Sequence, residues 1–211
     1  MKKALSLLTM TLALVASCSS VGYDDPDMVE TLTIDFGSTD LQILASSMTE
    51  SLIASPGLSY VKRSASNSNE DPRLVVYLGG IENRTTEHID TSGIGESIRT
   101  SLLSSGKFRF VAGDPGQAEI GGQVSFQQGS GRVDPTQAKA FGKQLGADMV
   151  VYGTLRSIDK KKGSSIESLG SKKEDLYYQF IMNCVNIETG EIVWAKEEDI
   201  RKRASTGIFG R

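Results

Sequence analysis

Apolar residues return along this chain with two periods. Leu41, Leu44, Ala45, Met48 and Leu52 fall at the spacing of one helix face. Ser38 stands where an N-cap would, and Pro56-Gly57 stops the segment. Leu74 to Leu78 is a near-continuous apolar run, which predicts a strand buried on both faces. Ile94, Ile98 and Leu102 mark a second helix, with Gly106 in the place just past its end where a left-handed residue closes helices. "KFRFV" from Lys107 reads as a short strand. Two segments then share a start signal, Asp-Pro followed by Gln: Asp114-Pro115 with Gln117, and Asp134-Pro135 with Gln137. The second predicts a helix with Ala138, Phe141 and Leu145 on one face and Gly146 at its end. The first is the poorer candidate, because Gly121 and Gly122 would weaken its interior.

"ADMVVYGTLRSI" predicts a strong strand, and "LYYQFIMNCVNI" and "EIVWAKEEDI" predict a closing hairpin turned at Glu188-Thr189-Gly190. Tyr178, Phe180, Met182 and Cys184 share one strand face, which makes Cys184 a small buried hydrophobe. Two stretches carry no period and read as loops: residues 62–72, and the Lys-, Ser- and Gly-rich excursion from Asp159 to Asp175. The lysines of the second would suit an acidic partner, but a solvated loop is the plainer reading.

The N-terminus is of a different kind. Lys2 and Lys3 precede an apolar run from Ala4 to Ala16, too short for a spanning helix, which needs about 20 residues. The run ends in "LVASC", which resembles the lipobox of bacterial lipoproteins. That resemblance implies cleavage after residue 17, acylation of Cys18 and, with Ser19 following instead of Asp, the periplasmic face of an outer membrane. Residues 18–30 then form a short polar tether of at most about 40 Å, and 31–211 a single domain. Cleavage takes two of the 23 basic residues away against 26 acidic ones, a net charge of about −5, which gives no reason to expect nucleic acid or anionic headgroups as partners.

Candidate chemistry thins out on inspection. Cys184 would be the one cysteine left beside the acylated Cys18, so no intrachain disulfide forms, and with a single histidine, His88, no Cys/His zinc site is available. Ile187–Ile200 holds the single tryptophan and five acidic residues, an invitation to read a glycan-cleaving site. A glycosidase needs two carboxylates about 5–10 Å apart across a cleft. Glu197 and Glu198 are strand neighbours and point to opposite faces, while Glu188 and Glu191 flank the turn. Trp194 lies two residues past Ile192, which predicts that both share one face under a helix. No Walker loop or G-x-S-x-G elbow occurs. No catalytic residue, cofactor or metal is expected.

Several stretches carry a resemblance: "NRT" from Asn83, "GKFRFV" from Gly106, "DPTQAKAFGKQLGADMVVYG" from Asp134 and "ETGEIVWAKEEDIRK" from Glu188, in that order. With the lipobox they resemble the LpoB family, outer-membrane lipoprotein activators of a class A penicillin-binding protein, over about residues 72–203. The resemblance implies an α/β (α+β) fold: a small central mixed sheet flanked by helices, similar to the N-terminal domain of TolB, with a terminal β-hairpin. It also implies a non-enzymatic partner of a bifunctional peptidoglycan synthase, bound to the membrane only through Cys18 and using no small-molecule substrate. The best-known members carry a long proline-rich linker after the lipobox; the tether here is short and nearly proline-free. The second class of function is a CsgG-like subunit of a secretion pore, since strand-turn-strand with "TGEI.W" occurs there too. Its membrane hairpins need strands of alternating polarity, which the lysine-rich excursion lacks.

Overall fold

In the computed structural model, residues 22, 24–30, 33–62, 71–139, 146–162 and 172–206 are described. The order is α1 (Ser38–Ile53), a 3-10 turn (Pro56–Tyr60), β1 (Leu74–Arg84), α2 (Thr91–Ser104), β2 (Phe108–Phe110), α3 (Asp114–Gly129), β3 (Met149–Lys162), β4 (Lys172–Asn186) and β5 (Ile192–Thr206). The five strands form one mixed sheet in the order β2-β1-β3-β4-β5. β1 runs parallel to β2 and β3, while β3, β4 and β5 are antiparallel. The expected mixed sheet with flanking helices and a terminal hairpin is what forms.

The core lies between one sheet face and helices α1 and α2. Leu44, Met48 and Leu52 of α1 and Ile94, Ile98 and Leu102 of α2 are fully buried against Leu155, Tyr178, Phe180 and Met182. Each such side chain contributes about 1.5–3 kcal/mol by leaving water. Gly106 closes α2 with a φ of 69°, as its position predicts. In β1, Val75 and Val76 are buried side by side, so both faces are covered there, but the second face opens at Tyr77.

Four expectations need correcting. The N-cap of α1 is Gly37, one residue before Ser38; the carboxylate of Asp40 accepts from the Gly37 N–H at 2.8 Å and does the capping work. Asp114 does not cap α3 either. Gly113 is its N-cap, and the helix continues through Gly121 and Gly122 although each glycine costs about 1 kcal/mol against alanine. Asp134 does cap, accepting from Thr136 N–H at 2.8 Å, but the residues after it form a turn; Phe141 and Leu145 lie outside the described residues.

The third correction concerns the Asp159–Asp175 excursion. β3 extends to Lys162 and β4 starts at Lys172, so the segment between them is 163–171, outside the described residues, as are 63–70. Charged residues form strand here because the register sets Lys160 opposite Asp175 and Asp175 opposite Arg203. Opposite charges facing across strands stabilise the ladder. The fourth concerns the hairpin. The β4–β5 register shifts between Cys184 and Val185, with Cys184 opposite Trp194 and Val185 opposite Ile192. The extra residue, Val193, is a bulge, and a bulge reverses the faces beyond it. Trp194 is therefore buried at 7 % exposure, with its Nε1–H donated to Ser51 Oγ of α1 at 3.1 Å, whereas Ile192 is 59 % exposed on the other face.

Candidate functional site

Cys18, the one residue to which the sequence assigns a role, lies outside the described residues. What the structure does place is the chain leading from it. Pro26–Glu30 lies along the first turns of α1: Gln42 Nε2 donates to the Pro26 carbonyl at 3.1 Å, and the Glu30 N–H donates to Thr39 Oγ1 at 2.8 Å. Glu30 Oε2 in turn accepts from the Ser38 N–H at 2.9 Å, a carboxylate meeting an orphan donor at a helix N-terminus. Next to this, Asp40, nearly fully buried, pairs with Lys202 of β5 at 2.6 Å, and Lys202 Nζ also donates to the Asp35 carbonyl at 2.6 Å. The entering chain, α1 and the last strand are thus fastened at one point.

That point lies at the distal end of the sheet, where β3, β4 and β5 run on towards Lys162, Lys172 and Thr206. Residues facing away from the helices here form cross-strand rows. Arg156, Gln179 and Asp199 make one, Ile158, Tyr177 and Arg201 the next, then Lys160, Asp175 and Arg203. Asp175 accepts from Arg201 Nε at 2.9 Å, and this guanidinium, helped by Arg203, holds the carboxyl below the usual carboxylate range. A hydrogen bond to Asp199 raises the Tyr177 phenol. Reading 159–175 as a loop hides this face; the alternation of Arg156, Ile158 and Lys160 is the signal that reveals it.

The tempting chemical groups are kept apart. Glu198 accepts from Ser47 of α1 and pairs with Lys196 at 3.4 Å on the covered face, while Glu197 accepts from Gln179 Nε2 at 2.9 Å on the open one. Burial pushes the Cys184 thiol up to about 12, far from a reactive thiolate at neutral pH. His88 is exposed. Among the described residues no group of three or more His, Cys, Asp or Glu side chains would hold a metal ion, and no helix is long and apolar enough to cross a membrane. A crevice of about 570 Å³ opens beside the middle of β1, past the carboxyl end of β2, between Gly79-Gly80, Thr91 and Arg99 of α2, and the start of α3. It sits where β2 and β3 diverge to either side of β1, the usual place for a ligand in a parallel sheet. Its paired Glu96 and Arg99 satisfy one another.

A family model described as "Peptidoglycan-synthase activator LpoB" matches residues 40–200. No curated protein matches the chain. Similar solved structures include the LpoB C-terminal domain from Salmonella enterica, at 16% identity over 77% of this chain and 96% of that one, with a TM-score of 0.37. The LpoB C-terminal domain from Escherichia coli follows at 17% identity, 70% and 94% coverage and a TM-score of 0.35. Lipoprotein GNA1162 from Neisseria meningitidis is similar at 15% identity, 63% and 85% coverage and a TM-score of 0.34.

Proposed function

The chain belongs to the LpoB family of peptidoglycan-synthase activators, and on that premise we propose that it is a lipid-anchored envelope protein that binds and stimulates a bifunctional class A penicillin-binding protein. The family match over residues 40–200 carries this reading. It runs from the first turn of α1 to the middle of β5 and so takes in four strands, part of the fifth, and the helices that cover them. In this role the protein performs no bond chemistry. It acts by binding the active conformer of the synthase more tightly than the resting one. A tenfold shift between those conformers needs about 1.4 kcal/mol of differential binding, within reach of one or two well-made contacts.

The anchor we propose is Cys18, acylated after loss of residues 1–17, at the periplasmic face of the outer membrane. Labelled palmitate is expected in the wild type and absent from Cys18→Ser; equal labelling refutes the lipobox. Because Pro26–Glu30 is held on α1, only about seven residues separate it from Cys18, a span of at most roughly 24 Å. Contact with an inner-membrane synthase therefore depends on the partner's own periplasmic reach. Cross-linking in intact cells with mass spectrometry of the products tests the pairing: a class A penicillin-binding protein joined to this chain is expected, and its consistent absence sinks the proposal. The pore alternative is disfavoured by the distal strands. Their outward rows alternate Arg156, Ile158 and Lys160, while Ser157, Asp159 and Lys161 take the other face, so neither face offers the apolar band a membrane barrel needs.

A further inference from the structure

Whole-chain charge argues against anionic headgroups, yet the fold sorts charge unevenly. On the open face at the distal end, Arg156, Lys160, Lys173, Arg201 and Arg203 stand against Asp175, Asp199 and Glu197. The chain as a whole is net −3, so this one surface runs opposite to the average. Within it sit Ile158, 55 % exposed, and the half-exposed ring of Tyr177. Basic side chains around an aliphatic and an aromatic residue suit the boundary between headgroups and acyl chains, where long cationic stems and phenol rings each find an apolar and a polar side.

We propose that this distal face of β3–β5 rests on the anionic headgroups of the membrane in which the chain is anchored. The choice of occupant comes from where the tether leaves. Pro26–Glu30 is fixed beside the Asp40–Lys202 pair, at the same end of the sheet as the basic face though on its helix side. The residues between Cys18 and Pro26 span at most roughly 24 Å, more than the ~10 Å thickness of one layer. An anchored domain can therefore lay this end on the bilayer without being able to move far from it. Acyl chains with a basic surface are two cooperating membrane signals, and together they would fix the domain's orientation and turn the crevice at β1 towards the periplasm.

The proposal rests on the anchor at Cys18, and the tests separate the two. Every core residue lies between Ile34 and Ile200, so unacylated Ser19–Arg211 keeps the complete core and reads the face alone. It is expected to cosediment with vesicles of phosphatidylcholine and phosphatidylglycerol (7:3), not with phosphatidylcholine alone, and to be released by 0.5 M salt, where screening is nearly complete. Each basic residue near such a surface is worth about fivefold in partitioning. The exposed triple variant Lys160→Gln/Lys173→Gln/Arg203→Gln should therefore bind roughly 100-fold more weakly, with an unchanged circular dichroism spectrum. Arg132→Gln, away from the face, should bind as wild type. Equal binding to both vesicle types, or an unaffected triple variant, overturns the proposal. So does failure to bind vesicles while these residues are needed to bind the synthase, which would make the face an acidic-protein site. Mass spectrometry of the full chain from cells reads acylation separately. An unmodified Cys18 overturns anchor and face together; an acylated chain whose face ignores anionic vesicles overturns the face alone.

Discussion

Lys202→Met isolates the clamp that joins the entering chain to the last strand. The substitution keeps most of the apolar stem and removes the ammonium. Asp40 loses its partner at 2.6 Å and keeps the Gly37 N–H at 2.8 Å; the Asp35 carbonyl loses its donor as well. Stranding one member of a buried pair costs about 3–5 kcal/mol when both ends are dry. Here the Asp40 side chain is 4% exposed but the Lys202 side chain is 18% exposed. Water reaching the vacated end lowers the expected loss to about 2–3 kcal/mol. For a chain of this size that is a Tm decrease of roughly 4–12 °C. Asp40→Asn should cost less, about 1 kcal/mol, since Asn still accepts from Gly37 and Lys202 can turn towards solvent. Urea unfolding monitored by Trp194 fluorescence, which reports the α1–β5 contact directly, measures both. If Lys202→Met loses less than about 0.5 kcal/mol, the size of an ordinary surface change, or if Asp40→Asn loses more than Lys202→Met, the clamp is not the buried pair described.

Three further outcomes arise from the core. Burial, reinforced by the hydrogen bond to Glu87, raises the Tyr178 phenol above its ordinary value of 10.0. The folded state thus holds a proton that the unfolded state gives up, so stability is level below pH 10 and falls above it, by up to about 1.4 kcal/mol per pH unit. Tyr178→Phe should flatten that fall in alkaline urea titrations, leaving the smaller share due to Tyr177; an unchanged slope contradicts this. Cys184, with its thiol pushed up to about 12, should resist an aromatic disulfide reagent at pH 8 and react fully in urea, and rapid native labelling would show that it is not buried. Gly153→Ala should cost about 1–3 kcal/mol, because its Cβ would stand 2.8 Å from the Ile181 carbonyl oxygen and 2.9 Å from Met182 Cγ. A variant as stable as wild type in urea would mean that β3 and β4 separate easily.

The parts of the fold that bury apolar residues at a regular spacing are legible in the sequence. Leu44, Met48 and Leu52, or Tyr178, Phe180, Met182 and Cys184, point one way because a helix or strand allows nothing else. The bulge at Val193 is not legible, since one inserted residue exchanges faces without altering composition, and it separates Ile192 from Trp194. Nor are the distal strands: Asp, Lys and Glu are poor strand formers, and only the pairing of Lys160, Asp175 and Arg203 from three distant segments makes them one. The docking of Pro26–Glu30 uses side chain to backbone hydrogen bonds, which leave no period to read. The acids around Trp194 suggest carbohydrate chemistry until strand geometry separates Glu197 from Glu198. The link to the cell wall then comes from the family match and not from Glu197 and Glu198.

Synthase activation itself is read by glycan polymerisation with the cognate class A penicillin-binding protein, measured with and without Ser19–Arg211. Polymerisation is expected to quicken in proportion to the complex formed and to saturate when the synthase is fully bound. An unchanged rate, whether because no complex forms or because a complex forms without stimulation, contradicts a role as synthase activator.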